Sequence, residues 1–499
     1  MMIKRYIFNM IACLVLSVLA SCDLTPRLDD YEPLYSLPAE EAIDGEPAAE
    51  LALSGIYSGF RQLSSGNGNP QIYIFPDMMS GYTQPSAYNN TDQQVMGWVN
   101  NNPIVTGSTV QLGVYTRMYD VVNRANWLIA SLEKLSDDDF ETPGRKGEIM
   151  AEAKILRAVG HFYVLRLYGQ FYDTTSKYGI DIRTAPSTSA EAHPRKTVSE
   201  SYQSILDDLD VGIAQGPSPR GSMYVNSIFA KGMKSKVLLY MGDYSAAANL
   251  AKEVISDEHF SLAADFAAGF QPHTSAALFD NPEILFGSSG DPDSNLGIGN
   301  FYSGFFGAIT EKYINDISGG IVVDGQNILF DGGRATSVLT VNTSYGGYWT
   351  SKYTSYFSAG DYEMIYHLRL AEVYLILAEA SARNSSGVTS EALEALNTLR
   401  TQRGAATTGE DGYETYPATI SYDQFLTAVR MEKAAELMAE TGETWYDLVR
   451  YDYADGFGTG FQISDVKPSA TNSDKFILPI PFETVEAGGF VLEQNPSYE

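Results

Sequence analysis

Cysteine is almost missing from this chain of 499 residues: there are two, Cys13 and Cys22. Basic side chains are also scarce, 33 Lys and Arg against 62 Asp and Glu, for a formal charge of −29. Five histidines are scattered at His161, His193, His259, His273 and His367, none in an HExxH or other zinc spacing. There is no GxSxG nucleophile turn and no Gly-Lys-Ser/Thr phosphate loop. After residue 21 no apolar run approaches the roughly 20 residues that a permanent spanning helix needs. Each shortage excludes something. The acidic excess repels nucleic acid and anionic lipid, so no nucleic-acid partner is expected. The Cys and His usage gives no metal site, no cofactor site and no thiol nucleophile. No residue stands out as catalytic.

The two cysteines lie together at the start. Lys4 and Arg5 precede an apolar core from Ile11 to Ala20, the length of a signal h-region. Leu19-Ala20-Ser21-Cys22 then resembles a bacterial lipobox, in which the peptide is cut before the Cys and the thiol is acylated. The simpler alternative is a secretory signal with an incidental Cys. On the lipobox reading residues 1–21 are a lipoprotein signal peptide, Cys22 is the lipid attachment point, and residues 22–45 are a lipid-anchored tether. Loss of Lys4 and Arg5 with the leader takes the formal charge to −31. One cysteine then remains, so no internal disulfide can form and the body must rely on its own core.

The rest reads as helices interrupted by two polar, aromatic regions. Residues 46–63 have helical spacing. Residues 64–108 are rich in Gly, Asn and Pro, with only short elements, and long loops inside a domain are usually functional. From 110 to 257 the period is helical. The segment KGEIMAEAKILRAVGHFYVLRLYGQFY is apolar nearly all round between Ile155 and Tyr172, which predicts deep burial. Thr197 or Ser199 caps the next helix. Phe229, Met233, Val237 and Met241 recur every four residues, Gly242-Asp243 breaks the pattern, and Tyr244, Ala247, Ala251 and Val254 resume it. Two such helices across a Gly turn resemble a tetratricopeptide unit. Residues 258–360 are irregular apart from a strand-like EILFGSS. Helices return over 361–453, where YEMIYHLRLAEVYLILAEASAR reads as one of them, and the tail from Lys475 is expected to pack back along them.

Several segments together resemble the SusD/RagB family of Bacteroidetes outer-membrane nutrient-binding lipoproteins. They are AEAKILRAVGHFYVLRLYGQF, YHLRLAEVYLILAEA, VRMEKAAELMAETGETWYDLVRYD and the closing ILPIPFETVEAGGFVLEQNPSYE, in family order after the lipobox. Departures are mild: Tyr446 stands where the family often has Phe, Lys433 where it often has Arg, and Ser497 where Gly is usual. The resemblance implies a mostly α-helical, tetratricopeptide-like solenoid of helical hairpins with a large irregular insertion, as one domain over 46–499. It implies a surface lipoprotein of the outer membrane that captures oligosaccharides, without catalysis, for a SusC-like TonB-dependent transporter barrel.

The charged and aromatic side chains each have a simpler structural role beside a functional one. Glu372 and Glu379 lie seven residues apart on one helix face beside Arg369, and a hydrolase could use two carboxylates across a cleft. Buried charges must be paired, so partners among Arg400, Arg430 and Arg450 are the expectation. Aromatics in the two irregular regions suit the C–H face of a sugar, with Asn groups for its hydroxyls. The ligand-binding candidates are Tyr82, Tyr88, Trp98, Asn100, Asn101, Tyr302, Phe305, Tyr345, Tyr348 and Trp349. Any one of these aromatics could instead anchor a loop. Two other functions fit the same chain: a peptide-binding import lipoprotein of this fold, and a surface glycoside hydrolase.

Overall fold

The segment whose apolar pattern runs nearly all round is a helix buried along most of its length. A computed structural model of the chain describes residues 42–498, apart from 66–70, 87–92, 106–108, 189–192, 264, 271–280, 290–300, 303–306, 345, 354–363, 408–411, 455 and 458–459. Cys22, Tyr88, Phe305 and Tyr345 lie outside the described residues. The first helices are α1 (Glu46–Ser65), α2 (Gln71–Ser80), α3 (Gln93–Val99), α4 (Thr109–Leu132) and α5 (Arg145–Tyr168), with strand β1 (Thr83–Pro85) between α2 and α3. Every residue of α5 from Ile155 to Tyr168 is buried, as its all-round apolar pattern requires.

Next come α6 (Val198–Gln215), α7 (Ser227–Met241) and α8 (Tyr244–Ile255). Thr197 caps α6: its hydroxyl accepts from the Glu200 N–H at 3.1 Å, while the Glu200 carboxylate accepts from the Thr197 N–H at 2.8 Å. This reciprocal pair satisfies two helix-end donors. Gly242 turns the chain between α7 and α8 at φ +82°, and Asp243 caps α8 through the Ala246 N–H. α4 packs on α5, α5 on α6, α6 on α7 and α7 on α8.

The irregular region holds β2 (Ile284–Ser289), β3 (Gly307–Ile309), α9 (Glu311–Ile317), β4 (Gly320–Val323), β5 (Gln326–Leu329), α10 (Arg334–Ser337), β6 (Leu339–Val341) and β7 (Tyr348–Thr350). β8 (Met364–Arg369) leads into α11 (Leu370–Ser385), α12 (Ser390–Gln402), α13 (Tyr422–Leu437) and α14 (Glu443–Tyr453). α11 packs on α8, α12 and α13, which joins the two helical regions. The fold is mostly helical, a tetratricopeptide-like set of hairpins carrying a loop-rich insertion.

One helix expectation is corrected. MIYHLR is the strand β8, paired antiparallel with β2, and the helix starts only at Leu370. All six strand residues are buried, His367 and Arg369 included, so the strand has no solvent face, and it runs without a break into the apolar helix α11. The tail does pack back: the Leu478 N–H donates to the Leu167 carbonyl at 2.7 Å, and Asn495 Nδ2 to the Tyr168 carbonyl at 2.9 Å.

The helical carboxylates are paired inside the body. Glu379 accepts from Lys433 at 2.7 Å, from Arg383 at 2.9 Å and from Arg450 at 3.0 Å. Glu372 pairs with Lys236 at 2.7 Å. Arg369 bonds Glu440 at 2.8 Å and Glu436 at 3.1 Å. Arg400 is tied to Glu432 instead. Arg430 lies over the Phe461 ring. Glu372 and Glu379 thus join helices and do not face each other across a cleft.

Candidate functional site

The two irregular regions meet in one small sheet, ordered β1-β3-β7-β6 and antiparallel throughout. β1 comes from the first region and the other three strands from the second. Thr83 faces Ile309, Ile309 faces Tyr348, and Val341 faces Tyr348 across the sheet. Alternation puts these on one face and Gln84, Ala308, Trp349 and Thr340 on the other. Thr350, Thr83 and Ile309 are buried, so their face packs on the body as far as the edge strand β6, where Val341 is exposed. Gln84, Trp349 and Thr340 are exposed.

A tight turn sets up this outer face. The Gly346 N–H donates to the Asn342 carbonyl at 3.0 Å, and the Asn342 N–H to the Gly347 carbonyl at 2.9 Å. Gly346 and Gly347 have φ of +81° and +72°, conformations open to glycine. A Cβ on Gly347 would lie 2.7 Å from the Ile309 carbonyl oxygen. Glycine is what lets β7 come up against β3. Trp349 keeps 38% of its surface in solvent. Its cross-strand neighbour is Thr340. Tyr348 is half-buried, and its hydroxyl donates to Glu311 Oε1 at 3.2 Å. Burial and the Glu311 charge raise the Tyr348 phenol above its ordinary range.

The other candidates sit elsewhere. Trp98 is 3% exposed, its ring edge-on to Phe75 with centroids 3.9 Å apart. It shares the buried face of α3 with Val95. Tyr82 is 1% exposed, and its hydroxyl donates to Asp316 at 2.8 Å. Tyr302 is fully buried, stacked on Tyr353 and bonded to Asp77. Asn101 is buried at φ +52°, donating to the Met79 carbonyl at 3.1 Å and accepting from the Ser469 hydroxyl at 2.7 Å. These four anchor loops onto the helices and offer little surface to a ligand. Asn100 is exposed beside them. Tyr348 and Trp349 thus share β7 but lie on opposite faces of the sheet, with only Trp349 on the outer one, and Trp98 and Tyr302 lie outside the sheet. Sequence reasoning missed Gln84 and Thr340, because strands of three residues leave no readable alternation, and Glu311, which opens the short helix α9.

Residues 322–498 match the model of the SusD family, and residues 72–226 match a family model described as "Starch-binding associating with outer membrane". The chain belongs to the SusD/RagB family. SusD-like protein P38 of Formosa agariphila is 22% identical over 551 aligned residues, with 99% of each chain covered. Among solved SusD-like structures, a putative sugar binding protein from Bacteroides vulgatus superposes with a TM-score of 0.70 at 22% identity, covering 92% of this chain and all of that one. A laminarin-binding SusD-like protein superposes with a TM-score of 0.66 at 19% identity, covering 91% and 100%. The SusD-like fold is thus established over nearly the whole chain. No helix among the described residues is long and apolar enough to cross a membrane.

Proposed function

We propose that the protein captures oligosaccharides at the outer-membrane surface, tethered through acylated Cys22, and hands them without cleaving them to a SusC-like TonB-dependent transporter. The observation that carries this reading is the outer face of the four-stranded sheet. An exposed indole, Trp349, stands there beside the hydroxyl side chain of Thr340, with the Gln84 amide two strands away beyond the buried Ala308. That is the composition a sugar needs: an apolar plane for its C–H face and neutral polar groups for its hydroxyls. The SusD-family match and the laminarin-binding neighbour support the choice of glycan. One stacked ring contributes on the order of 1 kcal/mol, so affinity is modest for the protein alone and gains from a transporter held nearby. Two or more acyl chains on the anchor make such tethering stable.

Titration calorimetry of residues 23–499 against laminarin, starch, pectic and host-type glycans, and mixed peptides tests this. The expected result is heat from one glycan class, lost in Trp349→Ala, with no breakdown products after incubation. Binding confined to peptides, or cleavage of the bound glycan, overturns it.

A further inference from the structure

The two edges of the four-stranded sheet are built differently. On β1 the Gln84–Ala308 pairing, and the bond from the Thr310 N–H to the Tyr82 carbonyl at 3.0 Å, turn the backbone of Thr83 and Pro85 outward. Proline has no N–H to offer there, which is one way an edge is closed to further strands. β6 has no such device. The Ser351 N–H donates to the Val338 carbonyl at 2.7 Å, and the Asn342 N–H to the Gly347 carbonyl at 2.9 Å. These bonds fix the alternation: Val338, Thr340 and Asn342 turn their backbone groups to β7, while those of Leu339 and Val341 point away from it. Among the described residues nothing pairs with these two N–H and two carbonyl groups.

The side chains agree with the backbone. Val341 keeps 60% of its surface in solvent at this edge. From Ala335 to Ser351 the sequence has no charged residue and no proline. Lys and Pro are among the residues that keep natural edges from pairing, whereas Val338, Thr340, Val341 and Thr343 are of the β-branched type that suits a paired strand. Outward donors and acceptors alternating at strand spacing fit an extended polypeptide backbone.

The shortness of β6 decides what kind of polypeptide. Each added bond is worth roughly a factor of two to ten in a binding constant, and four of them do little more than offset the freedom that a loose peptide loses. The segment must already be held close by other contacts, so that its effective concentration is high. A second copy of this chain is a poor occupant. A formal charge of −29 on each copy repels the other, and a stable dimer buries about 1,200 Å² or more, which three strand residues do not supply.

We infer that β6 is the docking edge for an extended, uncharged segment of a partner protein held at the same membrane, which joins the sheet as an added strand. The inference rests on the proposed function, in which that partner is the transporter. The added strand lies two strand spacings from β7, roughly 10 Å from the strand that bears Trp349. A captured glycan and the docked partner then sit side by side.

Hydrogen exchange read at single amides, on the full-length acylated protein alone and co-purified with its transporter from outer membranes, tests this. The Leu339 and Val341 amides should exchange at least tenfold more slowly in the complex. Val341→Pro removes an outward donor without touching the β7 ladder and should cut transporter recovery at least fivefold. Val341→Lys puts a charge on the edge, should give the same loss with glycan heat unchanged, and serves if the proline variant is misfolded by circular dichroism. Trp349→Ala should do the reverse, losing glycan heat and keeping the transporter. If no transporter co-purifies with the wild type, the partner in the proposed function falls and this inference with it. If it co-purifies but the two amides exchange as fast as in the free protein, or both Val341 variants retain it, the docking edge is wrong and the proposed function stands. Protection that rises with concentration in residues 23–499 alone means a second copy, and protection by the free peptide acetyl-Thr-Val-Thr-Val-Thr-amide means a peptide ligand; either result overturns the assignment.

Discussion

The hydroxyl of Tyr302 donates to the carboxyl group of Asp77 across 225 residues of chain, tying the second irregular region to helix α2 of the first. Both side chains are buried. Burial raises the Asp77 carboxyl to about 7, against the opposing pull of the Tyr302 bond and the Lys352 charge. The folded chain therefore holds a proton that the unfolded chain releases near pH 4. Stability from this group is fullest below that pH and falls as pH rises from about 4 to about 7. Asp77→Asn removes the decline. The difference in melting temperature between variant and wild type should shift in favour of the variant across this window and stay constant above it. Tyr302→Phe deletes a bond that favours the ionised form, so it should carry the upper end of the window above 7. Parallel melting curves from pH 4 to 8 would refute the assignment.

Trp98 and Trp349 should separate stability from binding. Trp98→Ala empties a core position and is expected to cost about 3–5 kcal/mol in urea unfolding. Trp349→Ala, at a partly exposed position, should cost less than about 1 kcal/mol yet weaken glycan binding by roughly fivefold or more. Equal effects of the two on binding would mean that Trp349 is not the contact.

Glu379 is a test of the buried ion pairs. Burial alone would raise its carboxyl, but Arg450, Lys433 and Arg383 outweigh that and hold it well below the usual carboxylate range. Its stabilisation is present above the ordinary carboxylate pKa and is lost as pH falls below about 4. Glu379→Ala leaves three buried cations short of a partner, at a cost of about 3–5 kcal/mol at pH 7. That cost should shrink in unfolding measured at pH 3.

Gly346 and Gly347 form a matched pair. Both have positive φ, but a Cβ on Gly346 meets nothing within 4 Å, while one on Gly347 meets the Ile309 carbonyl oxygen at 2.7 Å and Ala308 Cβ at 2.9 Å. Gly346→Ala should cost only the backbone penalty of about 1–2 kcal/mol. Gly347→Ala should cost more and also lower glycan affinity in calorimetry, by pushing β7 away from β3. Equal losses would show that the strand approach is not what Gly347 provides.

Helices were legible where period and punctuation agreed. The Gly242-Asp243 break, the Thr197 cap and the all-round apolar α5 each announce their structure locally. The pairing of Glu379 with Arg450 followed from the rule that buried charge needs a partner, although Lys236, the partner of Glu372, carried no signal in the sequence. β8 was hidden because its six residues run without a turn signal into the apolar helix α11, and its two polar residues, His367 and Arg369, are buried like the rest. Trp98 and Tyr302 look like binding aromatics beside Asn and Gly, but burial depends on what folds over them, and that comes from distant chain. Ser497, which stands where the family resemblance implied Gly, has φ +61° and donates to Asp474 at 2.7 Å. A side-chain bond accompanies the left-handed turn that glycine would enter freely.

β1 has its partner strand β3 some 220 residues further along, and this sets an order of assembly. Closing so long a loop is entropically costly before the intervening helices have shortened the path. The helices α4 to α8, each packed on the next in sequence, can form as soon as they are synthesised. The platform bearing Trp349 has to wait until they have packed and the chain has passed residue 350. A chain that stops short of residue 350 holds those first hairpins but not the sheet that carries Trp349, so on the proposed reading it cannot yet capture a glycan.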